Sequence, residues 1–265
     1  MLRWMSALRI DRDGEALRIT IAKPERRNAF DAALIAELTD AFSDVGDARV
    51  VVLAGDGPSF CAGADVEWQR ASIDLTYDEN VADAMRLYRM LEAIDACPAP
   101  VVARVQGFAL GGGSGVVACA DIAVAAPDAV FGFTEVRLGI IPAVISPFVL
   151  ARVGSGAARR YFLTGERFDA EAALRIGLVH EVAEDLDGVV ERLVGDLLAA
   201  GPAAVRAAKR LIRERPVGEA TAHIAAALRT SPEGQEGLRA FLEKRRATLS
   251  SGGTWGVYSG PEDAG

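Results

Sequence analysis

Two short segments rich in glycine and alanine could offer backbone N–H groups to a bound anion. Residues 107–115 read GFALGGGSG, and residues 60–65 read FCAGAD. Each follows an apolar run, at 101–105 and 50–55 respectively, that predicts a buried strand. Free N–H groups at a helix start carry partial positive charge. The pair therefore predicts an anion or oxyanion site, although either segment alone could serve only close packing between helix and sheet.

Three familiar glycine motifs do not fit residues 111–116. A dinucleotide-binding fingerprint would need a third glycine where Val116 stands, and a phosphate-binding loop would need a lysine that the segment lacks. A serine nucleophile elbow also needs a glycine at Val116, and neither His180 nor His223 is obviously placed to serve Ser114. What remains is backbone chemistry, in which two N–H groups stabilise the enolate oxygen formed from a thioester.

The composition is typical of a soluble, acidic globular protein. Of 265 residues, 51% are hydrophobic and 25% charged, and the formal net charge of −8 argues against a nucleic-acid surface. Cys61, Cys97 and Cys119 are scattered, so we interpret them as reduced core thiols and expect no metal site. No long apolar run predicts a membrane span, and the first residues lack the apolar core of a signal peptide. We expect a cytoplasmic protein without membrane or nucleic-acid partners.

Alternating strand and helix patterns predict an α/β fold with a largely parallel sheet and right-handed crossovers. Strands are predicted at 16–22, 50–55, 101–105 and 122–125, and amphipathic helices at 31–45 and 80–96. The apolar face of the second helix is predicted from Val81, Met85, Tyr88, Leu91 and Ile94.

Beyond about residue 155 the pattern is almost entirely helical. Helices are predicted at 157–164, 169–176, 186–200, 203–213 and 219–229. A last helix begins with Ser231 as N-cap and Pro232 at its first position, and Leu238, Phe241 and Leu242 form its apolar stripe. We divide the chain into an α/β core (1–195), a C-terminal helical region (196–250) and a tail (251–265) that we expect to be disordered.

Four segments resemble the enoyl-CoA hydratase/isomerase (crotonase) superfamily. They are residues 24–30 (PERRNAF), 60–65 (FCAGAD), 105–113 (VQGFALGGG) and 133–142 (FTEVRLGIIP), within a resemblance that covers most of the chain. The resemblance implies stacked ββα units that form a mostly parallel sheet core, followed by C-terminal helices that assemble a trimer or a dimer of trimers. It also implies an acyl-CoA thioester as the substrate, with no separate cofactor and no metal.

The resemblance assigns roles to nine positions of this chain. Ala64 and Gly112 would supply the oxyanion-hole N–H groups, and Glu135 would be the acid/base. Coenzyme A would be held by Arg26, Arg27, Ala62 and Asp65, and, at a neighbouring subunit of a homo-oligomer, by Phe241 and Lys244. For Arg26, Arg27 and Lys244 a solvated surface charge is the alternative interpretation.

One departure from the family pattern bears directly on the activity. Family hydratases carry one glutamate two residues after the glycine triplet, where this chain has Gly115, and a second one at Glu135. A single carboxylate could take a proton from water and return it to carbon, and an isomerase needs only one base. Restoring a glutamate at Gly115 is then expected to increase hydration. The apolar residues around Glu135 predict a raised pKa for its carboxyl group.

Residues 143–148 (AVISPF) replace a glycine-rich run, and together with residues 231–237 they look most like bacterial methylglutaconyl-CoA-type hydratases. Arg137 is a candidate to meet a distal carboxylate of such a substrate. The leading hypothesis is a hydratase of a medium or branched enoyl-CoA, with Glu135 as its only acid/base. The alternatives are a 3,2-enoyl-CoA isomerase that uses the same Glu135 and a non-catalytic acyl-CoA-binding protein.

Overall fold

The computed structural model describes residues 7–248 and 254–255 of the chain. Its strands, in chain order, are β1 (Leu8–Asp13), β2 (Ala16–Ile21), β3 (Val50–Gly55), β4 (Val101–Val105), β5 (Phe108–Leu110), β6 (Ile122–Ala125), β7 (Val130–Gly132), β8 (Arg167–Asp169), β9 (Glu181–Val182), β10 (Ala247–Thr248) and β11 (Thr254–Trp255).

The helices, in chain order, are α1 (Ala32–Ser43), α2 (Val66–Ala71), α3 (Tyr77–Ala96), α4 (Gly112–Cys119), α5 (Ser146–Thr164), α6 (Ala170–Arg175), α7 (Leu186–Leu198), α8 (Pro202–Glu214), α9 (Glu219–Thr230) and α10 (Pro232–Leu242). Three short 3-10 turns lie at Pro24–Arg26, Ser72–Asp74 and Glu135–Leu138. The described helices are too short or too polar to cross a bilayer.

The main sheet has the strand order β1-β2-β3-β4-β6-β9, and every pair except the antiparallel β1–β2 hairpin is parallel. Its inner strands are rich in buried valine, alanine and leucine, as expected for strands covered on both faces. Helices α1 and α3 pack on one side and α7 on the other, so the sheet separates two apolar clusters.

A second, three-stranded sheet consists of β5, β7 and β8. β4 and β5 are separated only by Gln106 and Gly107, and β6 and β7 by residues 126–129. Each of these pairs puts its first strand in the main sheet and its second in the small sheet, and a helical segment follows. These repeats are stacked ββα units, so the predicted α/β fold with a mostly parallel sheet core is confirmed.

Partly buried polar contacts fix the C-terminal helices on this core. Lys209 of α8 donates to the Asp121 carboxylate over 2.6 Å and to the Ala99 carbonyl over 3.1 Å. The same Asp121 oxygen accepts the Val101 N–H at the start of β4. On the other side, buried Arg49 donates to the carbonyls of Leu198 and Ala200. The helical region therefore packs directly against the sheet.

Most of the predicted elements exist, and the main differences concern small ones. β1 and the short strands β5, β7, β8, β9 and β10 were not predicted from the residue patterns. Val81 and Met85 were predicted on the buried face of α3, but both are exposed, and burial begins only at Met90. The core boundary proposed at residue 195 falls inside α7, and most of the predicted tail lies outside the described residues, apart from the β11 pairing with β10.

Candidate functional site

A cavity of about 450 Å³ opens beside the small sheet. One wall contains Ala62, Gly63 and Ala64, and another contains Gly111 and Gly112 at the start of α4. Glu135 lines the same cavity, and α3 contributes a further wall. The structure therefore brings the three predicted catalytic positions, Ala64, Gly112 and Glu135, to one cavity.

The backbone of Phe30 and the edge of β5 hold the two glycine- and alanine-rich segments side by side. Cys61 forms a parallel bridge with Ala109, in which its N–H donates to the Phe108 carbonyl over 2.9 Å. A side chain at Gly113 would meet the Cys61 carbonyl at 2.4 Å, so this close approach requires glycine. The segments meet because the main chains are in direct contact.

The N–H groups of Ala64 and Gly112 are left available by this arrangement. Phe30 donates to the Gly63 carbonyl and accepts from the Asp65 N–H, both over 2.8 Å, which leaves the intervening Ala64 N–H unused. Gly111 has φ 53° and ψ −118° and donates to Gly132, so α4 begins with the Gly112 N–H free. Among the residues that the structure describes, no hydrogen bond uses either N–H group.

Glu135 begins the 3-10 turn that follows β7 and carries an unpartnered buried oxygen. Its Oε2 has no hydrogen-bond partner within the described chain. Its Oε1 lies 3.2 Å from the position that a Cβ of Gly111 would take, which puts the carboxyl group beside the start of α4. Burial raises the pKa of Glu135, and a hydrogen bond from its own backbone N–H offsets only part of that rise. The predicted direction of the shift is therefore confirmed.

Gly115 is buried against Ile145 and Leu91 and does not line the cavity. A Cβ at Gly115 would lie 2.5 Å from Ile145 Cγ2 and 3.7 Å from Leu91 Cδ2. The first family glutamate is therefore missing, and in addition Ile145 fills the space that its side chain would need. The expectation that a glutamate at Gly115 increases hydration needs this correction: the substitution alone does not fit.

Ser114 Oγ and His180 Nδ1 each take part in a structural hydrogen bond. Ser114 is fully buried and donates to the Ala109 carbonyl over 2.6 Å. His180 accepts the Ala123 N–H at Nδ1 over 3.0 Å, on the main sheet. These contacts support the exclusion of a serine nucleophile.

Four of the six predicted coenzyme A positions lie together at the cavity edge. Arg26 forms an ion pair with Asp65 over 3.1 Å, and Asp65 caps α2 by accepting the Glu67 N–H over 2.8 Å. The Arg27 guanidinium lies 5.7 Å from the centre of the Phe108 ring, and its carbonyl accepts the Ala62 N–H. Arg26 and Arg27 are exposed, and both are therefore accessible to a ligand at this edge.

The other two positions lie far along the chain on the last helix. Phe241, 48% exposed, is near the end of α10, and exposed Lys244 follows with φ 52°. Neither lines the cavity of its own chain. Arg137 is also outside the cavity and packs against Gly165, so its predicted role toward a distal carboxylate is not supported.

The sequence analysis missed the contribution of α3 to the cavity. Asn80, Asp83, Ala84 and Leu87 line it, and their spacing puts them on one face of the helix. These four residues are both polar and apolar, so they do not form the apolar periodic pattern from which the buried face of the helix was predicted. Arg167 of β8, with its guanidinium 5.6 Å from the Phe108 ring centre, is a further lining residue that no motif indicated.

Comparison with known proteins gives the family. Residues 12–251 match the family model described as enoyl-CoA hydratase/isomerase. The chain belongs to the enoyl-CoA hydratase/isomerase family. It is 33% identical to the crotonyl-CoA hydratase of Syntrophomonas wolfei over 255 residues, which cover 91% of this chain and 97% of that protein.

Solved structures of the enoyl-CoA hydratase/isomerase family agree with this fold. The crystal structure of an enoyl-CoA hydratase from Shewanella pealeana matches with a TM-score of 0.89 and 36% identity, and the match covers 93% of this chain and 97% of that one. That of an enoyl-CoA hydratase/isomerase from Marinobacter aquaeolei matches with a TM-score of 0.84 and 33% identity, over 92% and 98% of the two chains.

Replacement of Glu135 by glutamine is expected to stabilise the fold at neutral pH. Because burial raises the pKa of Glu135, the unfolded chain loses this proton at lower pH than the folded chain. The contribution of Glu135 to stability therefore falls as pH rises from the ordinary glutamate pKa through the raised one. In urea unfolding, the free energy of unfolding of Glu135→Gln should exceed that of the wild type at pH values above the raised pKa of Glu135. At pH values below the ordinary glutamate pKa, the two free energies should be equal.

Glu92→Gln is the matched control, because Glu92 is exposed on α3 and its substitution should change stability little at either pH. A Glu135→Gln protein that is less stable than the wild type at neutral pH would contradict a carboxylate with a buried, unpartnered Oε2.

Proposed function

We propose that this protein is an enoyl-CoA hydratase that adds water across the 2,3 double bond of a medium or branched enoyl-CoA. The observation that carries the proposal is the meeting of three groups at one cavity. These are two unused backbone N–H groups, at Ala64 and Gly112, and the carboxyl group of Glu135, whose Oε2 is unpartnered.

In the proposed reaction the thioester oxygen accepts hydrogen bonds from the Ala64 and Gly112 N–H groups. Ionised Glu135 takes a proton from water, the water oxygen bonds to Cβ, and the electrons of the double bond move to the thioester oxygen. Glu135 then returns the proton to Cα, and the thioester carbonyl forms again. Atoms and charge balance without a metal or redox cofactor.

The edge that holds Arg26, Arg27, Ala62 and Asp65 is the proposed site of coenzyme A, since its exposed guanidinium groups suit phosphate recognition. Several exposed apolar side chains on the C-terminal helices support a homo-oligomer, a trimer or a dimer of trimers, in which Phe241 and Lys244 reach a neighbouring site. They include Leu211, Ile212, Leu238, Phe241 and Leu242.

A panel of 2-enoyl-CoA thioesters tests the reaction through the loss of conjugated absorbance. Glu135→Gln should lower kcat by a factor of about 10² to 10⁴, the usual contribution of an acid/base group. Its acyl-CoA affinity should stay near that of the wild type, because the N–H groups remain. Undiminished turnover in Glu135→Gln would assign the chemistry to another group. Binding of acyl-CoA without turnover by the wild type would support a non-catalytic binder.

Two substitutions of Gly112 separate its N–H group from its small size. Both Gly112→Ala and Gly112→Pro place a Cβ about 3.2 Å from the Phe30 ring, but only proline removes the N–H. Proline is tolerated at the first position of a helix. We expect kcat of Gly112→Pro to fall a further 10² to 10³-fold below that of Gly112→Ala, as for other oxyanion donors. Equal activity of two folded variants would exclude Gly112 as a donor.

One observation favours a second candidate, the 3,2-enoyl-CoA isomerase. Ile145 lines the cavity and occupies the place of the first glutamate, so an apolar side chain lies where a second carboxylate would hold water. An isomerase needs only Glu135, which would remove a proton from Cα of a 3-enoyl thioester and return it to the γ carbon. Conversion of 3-enoyl-CoA without hydration of any 2-enoyl-CoA would establish this alternative.

A double variant tests whether Ile145 determines the balance between the two reactions. Gly115→Glu alone should destabilise the protein without increasing hydration, because its Cβ would contact Ile145 at 2.5 Å. Ile145→Ala removes the contact at 2.5 Å and leaves the Cβ of residue 145 at 3.0 Å, so in the double variant the ratio of hydration to isomerisation should rise. Ile145→Ala alone is the control. A folded double variant with an unchanged ratio would exclude the space at Gly115 as the determinant.

A further inference from the structure

One carboxylate in the cavity has no part in the proposed reaction. Asp83 lines the cavity from α3, and its side chain is only 15% exposed, although α3 is exposed along much of that half. Its Oδ1 accepts from Arg86 one turn later, over 2.9 Å. Among the described residues, no hydrogen bond uses Oδ2. Asp83 therefore keeps one acceptor oxygen in a largely sheltered position.

The position of Asp83 along α3 puts it away from the reacting carbons. Leu91 of the same helix packs at Gly115, one turn into α4 from the oxyanion donor Gly112. Asp83 precedes Leu91 by two turns, which is about 12 Å along the helix axis at 1.5 Å per residue. Leu87 lies between them on the same face and also lines the cavity. The α3 wall thus runs from an apolar part near α4 to a polar part at Asp83.

Asn80 extends this polar part by one further turn. Its side-chain N–H group donates to the carbonyls of Leu75 and Thr76, which fixes the amide at the start of the helix. With Nδ2 engaged, its Oδ1 is the side-chain atom left to accept from a ligand. Two acceptor groups therefore stand at the end of the cavity wall that is remote from Gly112.

We propose that Asp83, assisted by Asn80, determines specificity by accepting a hydrogen bond from the distal end of the acyl chain. The preferred substrates are enoyl thioesters that carry a hydroxyl group or another hydrogen-bond donor there. This inference rests on the proposed function, since it takes the cavity as the acyl site. A carboxylate at the same end of the chain is disfavoured, because it would face Asp83 while Arg86, the neighbouring cation, does not line the cavity.

The test compares saturated acyl-CoA ligands of equal length that end in methyl, hydroxyl or carboxylate, across a series of chain lengths. Binding to the full chain is measured by calorimetry, so the readout does not need turnover. At the best length, the wild type should bind the hydroxyl ligand about tenfold more tightly than the methyl ligand, as expected for a hydrogen bond to a charged group. The carboxylate ligand should bind most weakly.

Asp83→Leu should remove the preference for hydroxyl over methyl, and Asp83→Asn, which keeps an acceptor oxygen, should retain part of it. Glu92→Leu removes a carboxylate from the exposed face of α3, outside the cavity, and should preserve the full preference. Glu92→Leu should also still turn over a short enoyl-CoA at the rate of the wild type, since Glu92 lies outside the cavity.

The outcomes separate this inference from the proposed function. If the wild type and Asp83→Leu prefer the hydroxyl ligand over the methyl ligand to the same extent, and the wild type turns over 2-enoyl-CoA, the role of Asp83 is overturned. The proposed reaction is not affected by that result. A lost preference in Asp83→Leu, with no turnover by the wild type, supports the role of Asp83 and overturns the proposed reaction. Failure of every acyl-CoA to bind the wild type overturns both.

Discussion

The contacts of Phe30 are the constraint on which the candidate site depends. Its backbone pairs with the segment around Ala64, and its ring lies about 3.2 Å from where a side chain at Gly112 would begin. One residue thus connects the two N–H groups, which belong to segments almost fifty positions apart in the sequence. Asn28, buried two residues before it, holds the same loop through the carbonyls of Asp56 and Ser59. The position of the donors is set by core packing.

The same packing creates the electrostatic condition of Glu135. A buried carboxyl oxygen without a partner favours its protonated form, which costs stability when the group must be ionised. Such strain is common where a protein holds a reactive group ready. Ile145 against Gly115 makes the neighbourhood still less polar, since it fills the position of a second carboxylate with a methyl group. In the proposed function, the way this small volume is filled sets the balance between hydration and isomerisation.

The fold was predictable where burial and periodicity coincide. The apolar strands β3, β4 and β6 and most of the later helices follow from residue patterns, because each buries a long apolar surface. The small sheet did not follow, because β5, β7 and β8 have three residues each and two of them contain glycine or lie beside it. Such strands exist through pairing with distant partners, which no local pattern reports.

The chemical groups of the site could be identified from residue types and spacing. They are glycine and alanine turns after strands, a glutamate among apolar residues, and a glycine where the family has an acid. How these groups are arranged around the cavity depends on contacts between distant segments. Whether an N–H is free depends on what its neighbours bond to, as Phe30 shows for Ala64. Whether there is space for a side chain at Gly115 depends on Ile145, thirty positions away. The α3 wall with Asp83 likewise forms only when the helix packs. A helix face that mixes polar and apolar residues does not show from its sequence that it lines a cavity, because the contacts of the helix with its neighbours determine its orientation.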